Sequence, residues 1–161
     1  MKGIKTLVSA TAMAVCMGAM SMASAATIVS PPAGSTFTAP GTITVKSPAS
    51  LNVPVTCNIT FTGTVAADSK TASITAVTVS GSNALCNVPK MGGLPWTLTP
   101  TSATSATVGG VSFSIISNCG TANVTTAYGG GVLSLSPAPQ SVGSCTITAL
   151  SVTPNPTFVL Q

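Results

Sequence analysis

Histidine, arginine and glutamate are absent from this 161-residue sequence, and Asp68 is its only acidic side chain. Five lysines complete the set of charged residues, and two of these, Lys2 and Lys5, stand at the N-terminus. General acid–base catalysis draws on His, Glu and Asp, and oxygen- or nitrogen-ligated metals need clusters of the same residues. The sequence therefore points away from catalysis and toward binding, coating or assembly, with no catalytic residue, cofactor or metal expected. Aromatic residues are also few: Phe37, Phe61, Trp96, Phe113, Tyr128 and Phe158. That is too small a set for a broad stacking platform on polysaccharide. Lys46, Lys70 and Lys90 are too dispersed for nucleic acid, which requires clustered basic side chains on one face.

Long apolar runs are confined to the first residues. Lys2 and Lys5 precede an apolar stretch from about Leu7 to Met20, which ends in Ala23-Ser24-Ala25. This is the layout of a signal peptide spanning 1–25, cleaved before Ala26. Ser and Gly interrupt the stretch, and no later segment approaches the ~20 apolar residues of a membrane-spanning helix. Cys16 follows Met13-Ala14-Val15 without the small residue that a lipoprotein anchor places beside its cysteine, so it reads as part of the discarded signal. The expected product, 26–161, has the length of one domain and is placed outside the cytoplasm, secreted or on the cell surface.

Twelve prolines and fifteen glycines punctuate the chain, and no helical repeat of useful length survives between them. The segment 54–65, PVTCNITFTGTV, alternates instead. Val55, Cys57, Ile59, Phe61 and Val65 fall on one face, with Thr56, Asn58, Thr60, Thr62 and Thr64 on the other. This is the pattern of a half-buried strand. Segments 41–46, 73–80, 96–99, 111–117, 122–128, 131–136, 145–153 and 157–160 read the same way. Short strands at this spacing predict an all-β, antiparallel, sandwich-like single domain. In 145–153 the apolar face moves from Cys145 and Ile147 to Leu150 and Val152, which a one-residue bulge near Ala149 explains. Thr and Ser on the outer faces take over the solvating role of charges.

Past the signal there are four cysteines, Cys57, Cys86, Cys119 and Cys145, an even number in an exported chain. Of the three pairings, spacing favours Cys57–Cys86 and Cys119–Cys145, because each pair encloses a strand, a turn region, a second strand and a return to cysteine. The domain then consists of two similar disulfide-closed halves. A zinc or redox site lacks its CxxC spacing and its histidines.

Few other residues invite a functional reading. Asp68 and Lys70 flank Ser69, but Ala-Ala-Asp-Ser-Lys-Thr has the composition of a solvated hairpin tip. No serine lies in a G-x-S-x-G elbow, and no histidine exists to activate one. The loop 90–98, KMGGLPWTL, carries the only Trp. A lone Trp at a strand start belongs to the core more often than to a ligand site. Met91, Leu94 and Trp96 remain the weak candidates for ligand contact. Asn58 and Asn123 match the N-glycosylation pattern by chance.

The segments MASAATI (22–28), FTAPGTITV (37–45), PVTCNITFTGT (54–64), ITAVTVSG (74–81), LPWTLT (94–99) and SCTITALSVTPNPTF (144–158) together resemble the bacterial exported proteins called protein activator of alkane oxidation, of the PraB-like kind. The resemblance runs through nearly the whole chain and implies a secreted or surface protein that promotes growth on long-chain alkanes and is linked with biofilm. It carries over no catalytic residue. The partners it implies are a hydrophobic substrate or the cell-envelope surface. A second reading is a fibre or matrix subunit that self-associates by strand addition, with the C-terminal Thr-Phe-Val-Leu-Gln as the donated strand. A carbohydrate- or lipid-binding module without assembly ranks third.

Overall fold

Twelve strands account for most of the chain in a computed structural model that describes residues 25–161. The signal-peptide expectation falls on residues 1–24, outside the described ones. In chain order the strands are β1 (Ile28–Ser30), β2 (Thr36–Lys46), β3 (Val55–Val65), β4 (Ala72–Ser80), β5 (Lys90–Gly92), β6 (Trp96–Ser102), β7 (Ser105–Ile115), β8 (Ser117–Gly129), β9 (Val132–Leu135), β10 (Gln140–Val142), β11 (Cys145–Val152) and β12 (Val159–Leu160). Two single-turn 3-10 helices, Pro48–Ser50 and Ala84–Cys86, sit in connections. Among the described residues, no helix is long and apolar enough to cross a membrane.

The all-β antiparallel class expected from the alternation is the one adopted. β2 and β3 pair over their full length, from Thr36 opposite Thr64 to Val45 opposite Val55. Because side chains alternate across a strand, this register puts Phe37, Ala39, Ile59 and Phe61 on the buried face and sends Thr38, Thr42, Thr56 and Thr62 outward. The outward Thr44 and Thr56 hydroxyls lie 2.8 Å apart and hydrogen-bond across the strands. Such cross-strand pairs stabilise a face that has almost no charge.

The antiparallel strands run in the order β11-β2-β3-β4-β6-β7-β8-β9, and β9 pairs back onto β11 through Leu133 with Val152 and Ser134 with Ser151. A single sheet thus closes on itself, and the facing walls of the core belong to that one sheet. Closure removes most of the free edge an open sheet would present, leaving β4 beyond Ile74 paired with β3 alone. The bulge expected in β11 is present: Ile147 stands opposite Val45 and Ala149 opposite Thr44, so Thr148 is the extra residue. Its hydroxyl donates to the Thr44 carbonyl at 3.2 Å. A second bulge in β7 falls at Gly109-Gly110, where Gly110 has φ 75 and its N–H donates to the Asn123 side-chain oxygen. Only glycine takes that backbone conformation without steric cost.

The two ends of the barrel differ. At the lower end, β1 and β12 form a two-stranded ribbon that plugs the opening. Ile28, Phe158 and Leu160 are buried there, and the Phe158 ring meets Phe37 edge-on at a centroid distance of 4.9 Å. Thr27 and Gln161 exchange backbone hydrogen bonds, and the Ile28 N–H donates to Ser69 at the β3–β4 hairpin tip. The upper end is formed by the β2–β3 connection (47–54), the β4–β5 connection (81–89) and the β7–β8 tip at Ile116.

Both disulfides lie toward the upper end and join the pairs that spacing favoured. Cys57 of β3 is bonded to Cys86 of the β4–β5 connection, and Cys119 of β8 to Cys145 at the start of β11. Structural disulfides of this kind belong to oxidising compartments.

Candidate functional site

The interior of the barrel is the site that the alternation builds. Inward-facing positions of β2, β3, β7, β8 and β11 supply Val45, Ile59, Phe61, Val108, Phe113, Val124 and Ile147, and between them lies a space of about 60 Å³. Its walls are aliphatic and aromatic apart from Ser47 and the half-cystine Cys57. The Ser47 hydroxyl and backbone are engaged locally, with Ser50, in a reciprocal capping arrangement. No buried side-chain oxygen or nitrogen among the described residues lacks a hydrogen-bond partner. The space therefore offers a ligand almost entirely apolar contact.

The rim lies at the upper end. Ile43, Val55, Val79, Leu85, Pro89 and Met91 line the space while only half-buried, so apolar surface continues from the interior to the solvent at this end.

Of the three weak ligand candidates, the structure brings two into this wall. Trp96, at the start of β6, is buried; its indole N–H donates to the Gly92 carbonyl at 2.8 Å and its ring meets Phe61 edge-on at 6.4 Å. That is the core placement expected of a lone Trp. Met91 sits on β5 opposite Phe113 and forms part of the rim. Leu94 packs half-buried against the core but does not line the space. Asp68 and Lys70 occupy an exposed hairpin tip at the other end, where the Lys70 N–H donates to an Asp68 carboxylate oxygen at 3.0 Å. This is the solvated turn expected from the composition of the segment.

The titratable group the interior does bury is Tyr128 of β8. Burial raises its hydroxyl pKa, and the hydroxyl donates a hydrogen bond to the Phe158 carbonyl at 2.6 Å. Among the described residues no group of three or more His, Cys, Asp or Glu side chains is placed to hold a metal ion.

These features define a class: a small, disulfide-stapled antiparallel β-barrel whose interior site is almost wholly apolar. Within that class the chain belongs to the family described as alkane oxidation protein activator PraA/PraB-like, whose model matches residues 1–161. Membership agrees with the resemblance carried by the segments between 22 and 158. No curated protein and no solved structure matches the chain.

Proposed function

We propose that this protein acts outside the cell as a non-catalytic accessory to alkane oxidation, adsorbing at hydrophobic surfaces and so promoting growth on the alkane and life in biofilm. The observation that carries this reading is the size of the apolar interior. About 60 Å³ is well under half of the ~150 Å³ engineered cavity that admits benzene. It has room for the end of an alkyl chain and not for a whole long alkane. A carrier that sequesters single alkane molecules would need a larger pocket, so contact with a bulk hydrophobic phase is the better supported mode. An outer face of Thr and Ser keeps the barrel wet without charge repulsion between neighbouring copies, which suits a crowded adsorbed layer. The disulfides suit an extracellular setting.

The competing fibre reading has less support. Strand addition needs a free edge, and the sheet that closes through β9 and β11 leaves only a short one, the part of β4 beyond Ile74 that pairs with β3 alone. The C-terminal segment that would be donated is already paired with the N-terminal β1 of its own chain.

A growth experiment tests the proposal. Cells lacking the chain should grow normally on a soluble carbon source and slowly on a long-chain alkane, and purified protein added to the medium should restore growth on the alkane. Restoration only by protein made and retained inside the cell would overturn an extracellular role.

A further inference from the structure

Three upper-end connections hold large aliphatic side chains out in water. Leu51 and Val53, between β2 and β3, are 86% and 58% exposed; Val88, between β4 and β5, is 41% exposed; Ile116, at the β7–β8 tip, is 79% exposed. A single exposed aliphatic residue is ordinary, whereas a cluster marks an interaction surface. These four are clustered by the fold. Ser47 and Val55 flank the first connection, Leu85 and Pro89 bracket Val88, and Ile115 precedes Ile116; all five line the same interior space. The three connections therefore ring one mouth. Ile116 also shares a shallow groove with Lys90 and Met91.

The backbone at two of these positions is unfavourable for the residues it carries. Leu51 has φ 52 and Ile116 has φ 66, in the left-handed region that suits Gly or Asn. The neighbouring Asn52, at φ 60, is the residue type such a turn prefers. For a β-branched side chain the conformation is an outlier, and Ile116 does not recover the cost through burial. Turn tips that keep an exposed aliphatic residue at the expense of stability point to a task for it.

Charge at this end has one sign. Lys46 ends β2 beside the first connection and Lys90 begins β5 after the second, while the only carboxylate side chain, Asp68, lies with Lys70 at the opposite end. A bare alkane surface carries no charge for these lysines to meet. An anionic lipid leaflet offers both acyl chains and negative headgroups.

Resting on the extracellular-accessory reading, we propose that the upper end of the barrel is a docking tip for an anionic lipid surface. Leu51, Val53, Val88 and Ile116 enter the acyl-chain boundary, and Lys46 and Lys90 lie at headgroup level, their alkyl stems along the apolar rim. The tip gives the protein its hold on the cell envelope.

Co-sedimentation of purified 26–161, which contains every described strand, with phosphatidylglycerol–phosphatidylcholine vesicles tests this. Wild-type protein should bind these vesicles and bind pure phosphatidylcholine on the order of tenfold more weakly. Lys46→Gln with Lys90→Gln should remove that preference. Replacing Leu51, Val53, Val88 and Ile116 by serine should weaken binding to both vesicle types by about a hundredfold or more. These positions are exposed and two of them are strained, so circular dichroism should match wild type and the urea midpoint should equal or exceed it. Val29→Ser with Val159→Ser, on the lower-end ribbon, should bind like wild type. Unchanged binding by the serine variant, a loss equal to it in the lower-end variant, or no binding by wild type would overturn the tip. If wild-type protein restores growth on alkane while failing to bind vesicles, the tip is wrong and the accessory reading stands; loss of both ends both.

Discussion

The Tyr128 hydroxyl donates to the Phe158 carbonyl oxygen at 2.6 Å, joining β8 in the barrel wall to the segment that plugs the lower end. The residues are 30 apart in sequence, and the bond lies beside the Phe37–Phe158 edge contact. Tyr128→Phe leaves that carbonyl without its partner and should cost about 1 kcal/mol at neutral pH. The wild-type advantage should also depend on pH in one direction. Burial raises the Tyr128 pKa above its ordinary value of 10.0, so above that pH the unfolded chain gives up a proton that the folded chain retains. The stability is present below about pH 10 and falls as pH rises through the unfolded and toward the folded value. Urea denaturation of both proteins at pH 7 and at increasing alkaline pH should show the difference shrinking.

The two disulfides close loops of sequence separation 29 and 26. In the chain-entropy account each contributes about 3.5 kcal/mol, and nearly uncharged, Gly-rich strands have few other features to fix their register. Cys57→Ser with Cys86→Ser should lower stability by that order, and the Cys119–Cys145 pair likewise. The first change should in addition loosen the 81–89 connection against β3, seen as faster amide hydrogen exchange at Leu85 and Val88.

Met91 and Trp96 close the apolar space from the β5–β6 side. Met91→Ala removes a half-buried wall residue and should destabilise by roughly 1–2 kcal/mol, at or below the low end of core truncations. It also enlarges the interior, so dissolved short alkanes should raise the melting temperature of the variant and leave that of wild type unchanged. Trp96 fluorescence should be poorly quenched by acrylamide in both proteins, because its ring is buried and its N–H is held by Gly92.

Gly41 lies where β2 meets β11, opposite Val152. A Cβ there would run into the Ser151 carbonyl. Gly41→Ala should therefore force the strands apart and cost roughly 1–3 kcal/mol or more, measurable as a lower urea midpoint.

Much of this architecture was legible in the residues. The alternation from Val55 to Val65 named the buried face of β3, the shift of face after Ile147 located the β11 bulge, and spacing gave the disulfide pairs. The strands that escaped notice are β1, β5 and β10, each three residues long, too short for a period of two to show. The start of β2 was hidden by Pro40 and Gly41. Pro40 is tolerated because pairing with β11 stops at Gly41, so its missing N–H is not needed on that side. Closure was illegible for a different reason: it rests on two residue pairs between β9 and β11, with no local signature. Trp96 and Met91 were drawn into one wall by β5 pairing with β7, whereas Leu94 was turned aside in the loop between them. The upper-end aliphatics were missed because Leu51 and Ile116 read as ordinary apolar residues until the backbone shows where the strands end.

Adsorption to emulsified long-chain alkane tests the central claim most directly. Purified 26–161 is mixed with droplets, the protein left in the aqueous phase is quantified, and the alkane is analysed for oxidised products. The account predicts saturable depletion onto the droplets as intact monomer, with the alkane chemically unchanged. Protein that stays in the aqueous phase, or oxidised alkane accumulating without cells, would contradict it.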